Sequence, residues 1–136
     1  MTNLINQLNA ISNQYFERFT HQLSKGRMGL AKKTKQAADL YSTTALLLSK
    51  DNVEDRVMGK FLEAYKDEIQ YCIPRSNFNP IDNSFFYQGY WFGTGYDMHE
   101  GKVYSWYRRV DQTEYVKCSA SKVLLVKFAE LLISAN

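Results

Sequence analysis

FFYQGYWFGTGY, residues 85–96, decides how the second half of the chain is read. Seven of its twelve residues are aromatic. With VYSWYRR at 103–109 it places ten of the chain's twenty aromatics between Phe85 and Tyr107. Aromatic residues fit the half-buried, pleated surface of a sheet. Read as one strand, Phe85–Gly93 puts Phe85, Tyr87 and Trp91 on one face and Phe86, Tyr90 and Phe92 on the other. GYDMHEGK (95–102) is a turn region in which Gly101 can supply positive φ. A second strand over Lys102–Val110 sets Tyr104 and Trp106 beside Lys102 and Arg108, and Val103 and Tyr107 beside Arg109. A turn at 111–113 leads to a third strand, Glu114–Cys118. The expectation is an antiparallel meander with aromatics on both faces.

Upstream the pattern changes from alternation to helical spacing. Leu4, Leu8, Ile11, Tyr15, Phe19 and Leu23 recur every three or four residues and predict a helix over Asn3–Leu23. Gly26 and Gly29 break it. A second helix is expected over Leu30–Ser49, with Ala37, Ala38 and Ala45 small enough for close helix packing. DNVED (51–55) is a start signal for a third, whose stripe is Val53, Val57, Phe61, Tyr65 and Ile69. It ends before Pro74, because the residue preceding a proline is pushed out of the helical region. PRSNFNPIDNS (74–84), with both prolines, marks the change of pattern. After the sheet, SASK (119–122) caps a last helix over Ser121–Ser134, and nine of the eleven residues from Val123 to Ile133 are apolar. Such a helix is buried on most sides.

The fold class expected is therefore α+β in one domain, 1–136: an N-terminal three-helix segment (1–73), a three-stranded antiparallel β-meander (84–118), and a C-terminal helix (119–136) packed on the sheet. A chain of 136 residues can bury a core without staples. Its composition, 45% hydrophobic and 23% charged with 2 Pro and 7 Gly, is that of a globular protein. The N-terminus does not read as a signal peptide. The longest apolar run, residues 123–133, is too short for a bilayer span of about 20 residues, so no membrane partner is expected. The two cysteines, Cys72 and Cys118, lack metal-site spacing and read as reduced. A cytoplasmic location follows from these signals.

Net charge is +3, and its distribution is uneven. Residues 1–50 carry 7 basic and 2 acidic groups, residues 51–83 carry 4 and 7, and residues 84–136 carry 6 and 5. The basic excess peaks in SKGRMGLAKKTK (24–35), with Lys25, Arg27, Lys32, Lys33 and Lys35. These five residues form the candidate anion or nucleic-acid site. The Gly-x-x-Gly pattern there is similar to the backbone clamp of KH modules. That similarity spans four residues only, because KH modules set strands around the helix pair and the chain here reads as helical until residue 73. Lysines in the first turns of a helix also oppose its dipole.

No catalytic signature stands out: HExxH, GxSxG and the Walker glycine loop are all missing. His99 between Asp97 and Glu100 is the one arrangement suited to a general base, and turn residues of these types are ordinarily solvated. No catalytic residue, metal ligand or cofactor is assigned. The candidate partner site is Tyr90, Trp91, Trp106, Tyr107, Arg108 and Arg109, since Trp, Tyr and Arg dominate protein hot spots. The reading that follows is a small binding protein, acting on another protein as an inhibitor, immunity-type protein or adaptor. The alternative is a nucleic-acid binder that joins the basic loop to base stacking on the sheet. A third arrangement, with helices on both faces of the sheet, would make the aromatics a two-sided core. The C-terminal helix and a free sheet edge each offer a homodimer contact.

Overall fold

The computed structural model describes residues 1–73, 78–79, 84–117 and 121–136. The architecture is α+β, with helices before and after one antiparallel sheet. Helix α1 (Thr2–Ser24) and helix α2 (Met28–Leu48) form a long hairpin. Their approach is close because α2 faces its neighbours with Ala31, Ala37, Ala38 and Ala45, all buried. The Ser12 hydroxyl donates to the Ala38 carbonyl at 2.8 Å across the pair. Buried Thr34 and Thr44 satisfy themselves by donating to the carbonyls of Leu30 (2.9 Å) and Leu40 (2.7 Å). At the α1 C-terminus, Gly26 adopts φ +71°, and the amides of Gly26 and Arg27 reach back to the carbonyls of Leu23 and Gln22. This is a Schellman cap, which needs the left-handed residue that glycine supplies.

The third helix expected from sequence is two helices. Helix α3 (Asp55–Ala64) and helix α4 (Lys66–Cys72) meet at Tyr65, whose φ of −111° and ψ of 17° lie outside the helical range. Val53 is buried but precedes the helix, so the apolar stripe restarts as Met58, Phe61 and Leu62 while Val57 is exposed. Gly59 lets α3 sit close on the sheet: a Cβ there would lie 3.1 Å from Val103 Cγ1. In α1 the inward position of the last turn is Gln22, and Leu23 faces solvent. Helix α5 (Ser121–Ser134) has the expected bounds. Residues 119–120 of its expected cap, and Cys118, lie outside the described residues.

The sheet has five strands in sequence order: β1 (Phe78–Asn79), β2 (Ser84–Tyr87), β3 (Tyr90–Asp97), β4 (Lys102–Arg109) and β5 (Val116–Lys117). The expected strand Phe85–Gly93 is instead a hairpin. Gln88 and Gly89 both have positive φ (50° and 84°), the requirement of a two-residue type I′ turn, and Tyr87 pairs with Tyr90 across it. The face assignment changes accordingly. Phe85 pairs with Phe92 and Phe86 with Trp91, so Phe85, Tyr87, Tyr90 and Phe92 share one face and Phe86 and Trp91 the other.

The inner face packs on α3 and α5. Phe85 lies 5.3 Å from Phe128 of α5 and 5.4 Å from Phe92, and Phe128 lies 5.8 Å from Phe61 of α3, ring centre to ring centre. Ser105 donates to the Asp55 carboxylate at 3.0 Å on the same side. Behind this layer, α1 and α2 pack on α4 and α5. The apolar α5 is thus sandwiched: Leu124, Leu125, Phe128, Ala129, Leu131 and Leu132 are buried. Its Lys122 donates to the Leu48 carbonyl at 2.6 Å and to that of Lys50, placing a cation at the negative end of α2.

Candidate functional site

With α3 and α5 both on one side, the other side of the sheet is built from its own side chains. The β3–β4 register puts Trp91 opposite Arg108, Gly93 opposite Trp106, Gly95 opposite Tyr104 and Asp97 opposite Lys102. Lys117 of β5 pairs with Trp106. One face therefore carries Trp91, Tyr104, Trp106, Lys102, Arg108 and Lys117, joined by Phe86 from β2. Tyr115, one step before β5, closes the group.

The geometry follows from two glycines. Trp106 lies over Gly93 and Tyr104 over Gly95, so close that an added Cβ would come within 2.5 Å of the indole and 2.7 Å of the phenol. A residue with a side chain at either position would push the ring away. Tyr115 then stacks nearly parallel to Tyr104 (13° between planes, 6.3 Å between centres), with the two hydroxyls 3.1 Å apart. It also packs against Trp106 at 5.7 Å. Phe86 and Trp91 form a second pair at 5.5 Å. Phe86, Trp91, Tyr104 and Trp106 are all half-buried, and Tyr115 is 54% exposed.

Cations border the rings. The Lys117 ammonium lies 4.7 Å from the Tyr104 ring centre and 2.9 Å from the Asp97 carboxylate. That Lys117 hydrogen bond, with the backbone amides of Glu100 and His99, holds the Asp97 carboxyl below its ordinary range. The same bond raises the Lys117 ammonium. Arg108 donates to the Gln112 carbonyl, fixing the turn after β4.

The six residues expected as a partner site divide between the faces. Trp91, Trp106 and Arg108 share the outer face. Tyr90, Tyr107 and Arg109 lie on the inner one: Tyr90 and Tyr107 pack edge to face at 6.1 Å, and Arg109 pairs with Asp111 at 3.0 Å. Phe86, Tyr104, Tyr115 and Lys117 were missed. The Gln-Gly dipeptide between aromatic pairs is the signal for Phe86, because a two-residue turn there sets it beside Trp91. Alternation along β4 sets Tyr104 beside Trp106, and Tyr115 and Lys117 come in only through the pairing of β5 with β4.

The basic loop is exposed, and its glycines have local roles. Gly26 caps α1, while Gly29 is already in the first turn of α2. Lys33 lies 5.6 Å from the Tyr71 ring centre and Lys35 pairs with Asp39 at 3.6 Å. Lys25, Arg27 and Lys32 point to solvent. The DMHEG turn is organised by Asp97, whose Oδ1 accepts the amides of His99 (2.9 Å) and Glu100 (3.1 Å), with Gly101 at φ +66°. Its carboxylate is thus engaged with backbone and Lys117. Among the described residues, no three or more His, Cys, Asp and Glu gather into a group that could hold a metal ion, and no helix is long and apolar enough to cross a membrane.

Compared with known proteins, the chain matches no family model, no curated protein and no solved structure.

Proposed function

We propose that the protein is a binding module that holds another protein against the outer face of its sheet. The observation that carries this is the gathering of Trp91, Trp106, Tyr104, Tyr115 and Phe86 with Arg108 and Lys117 on the side away from α3 and α5. Trp, Tyr and Arg are the residues whose truncation costs most at protein interfaces. Inhibition, immunity or adaptor action would all use such a face. The reading includes a cytoplasmic location, with which the buried free thiol of Cys72 agrees.

The test is affinity purification of the wild type beside a Trp91→Ala, Trp106→Ala variant. The expected outcome is a partner captured by the wild type and lost from the variant, with cooperative unfolding retained. Capture of the same partners by both would remove the face from the interaction.

One observation favours a second reading. Trp106 and Tyr104 lie close over the backbone of Gly93 and Gly95 on the outer face, and half-exposed Tyr115 beside them adds a third ring on which a base could stack. Lys102 and Arg108 stand on the same face for phosphates. Single-stranded RNA or DNA bound in low salt, with affinity falling as salt rises, would support it. No binding to either at low salt would dismiss it.

A further inference from the structure

The tip of the α1–α2 hairpin has features that the sheet face does not explain. Residues 23–30 are all exposed, a run of eight at which the Schellman cap reverses the chain. Three of them are large and apolar: Leu23, Met28 and Leu30 are 38%, 64% and 42% exposed. Lys25 and Arg27 lie among them and Lys32 follows, and no ion pair with a described residue neutralises these three. Over residues 16–35 there are six basic groups and one acidic group, Glu17. The first turn of α2 holds no acidic residue, though its positive end would favour one. The tip is thus less favourable to its own helix than acidic residues would make it, and both its charge and its apolar side chains face outward.

We propose that this tip docks on the surface of an anionic lipid bilayer, with Leu23, Met28 and Leu30 entering the headgroup boundary and the cations meeting the headgroups. Such a contact lies on the membrane and needs no spanning helix. The negative charge of the cytoplasmic leaflet supplies the complementary field. A nucleic-acid backbone would use the cations alone, and aliphatic or thioether side chains would gain nothing from it. The apolar residues between the cations favour the bilayer over phosphate in solution. The surface is separate from the aromatic face and does not depend on what that face binds.

The experiment is co-sedimentation with phosphatidylcholine vesicles, with and without phosphatidylserine. The wild type is expected to bind the phosphatidylserine vesicles and to release as salt rises. Met28→Ser with Leu30→Ser should lower binding by roughly tenfold or more. Lys25→Gln with Arg27→Gln should lower it by about fivefold per cation removed. All four positions are exposed, so thermal unfolding should be unchanged. The Trp91→Ala, Trp106→Ala variant should bind vesicles as the wild type does. A measurement on the wild type alone keeps the test independent of variant folding: tryptic cleavage after Lys25 and Arg27 should be suppressed by phosphatidylserine vesicles and not by phosphatidylcholine. Three results would overturn the proposal: no binding to phosphatidylserine vesicles, unprotected cleavage at the tip, or a Met28→Ser, Leu30→Ser variant that binds as the wild type. The last would leave a purely electrostatic patch, as for a nucleic acid or an acidic protein.

Discussion

At residue 88 the backbone enters the left-handed region with a glutamine side chain attached, φ 50°. For a residue bearing a Cβ this conformation costs about 1–2 kcal/mol. Asparagine tolerates it better, and Asn-Gly is the preferred type I′ pair. Gln88→Asn should therefore raise stability by about 0.5–1 kcal/mol, measured as a higher urea midpoint with unchanged slope. A lower midpoint would mean that the Gln88 side chain makes a contact worth more than the strain. The same residue explains the main misreading of the sequence. Alternation carried through Gln88 and Gly89 sets Tyr87 and Tyr90 on opposite faces, whereas a two-residue turn pairs them on one. Period-2 patterning cannot decide between these when the three positions on either side of Gln88 and Gly89 are all aromatic. The turn chemistry of Gln-Gly could have done so.

Among the elements, α1 and α2 were legible because their apolar spacing is long and regular, and α5 because residues 123–133 are apolar at all but two positions. The break at Tyr65 was not, since no glycine or proline marks it and Asp67 and Glu68 signal a helix start only weakly. Also hidden from sequence was the meeting of α1, α2, α4 and α5 around Tyr15, Tyr41 and Cys72. The Tyr15 and Tyr41 rings stack at 5.5 Å, and Tyr41 donates to the Leu132 carbonyl at 2.8 Å. Burial raises the Cys72 thiol from 9.0 to about 11 and the Tyr15 phenol from 10.0 to about 12, and it raises Tyr41 as well. Groups raised by folding stabilise the native state below their unfolded values. That contribution is lost as pH climbs through the folded ones. The thermal midpoint should hold up to about pH 9 and fall between about 9 and 12. Cys72 should resist iodoacetamide at pH 8 until urea is added, as seen by mass spectrometry of its peptide. Rapid native labelling would show that the junction opens.

For the whole molecule, the sheet, the α3–α5 layer and the α1–α2 hairpin are joined through α5. Phe128 touches both Phe85 and Phe61, and its truncation to alanine should cost about 3–5 kcal/mol. Trp106→Ala, on the outer face, should cost clearly less in the same denaturation experiment. Equal losses would mean that the outer rings also belong to the core. The α+β class and the apolar terminal helix were readable from composition and period. That both sheet-packing helices choose one face was not, because it depends on chain direction through the turns. The glycines beneath Trp106 and Tyr104 have a further consequence for association. Each ring is wedged between backbone and neighbour before any partner arrives, so little side-chain freedom remains to be lost on contact. The ordering cost of roughly 0.5–1.5 kcal/mol per side chain is met during folding, so a partner of the proposed kind would meet an already rigid surface.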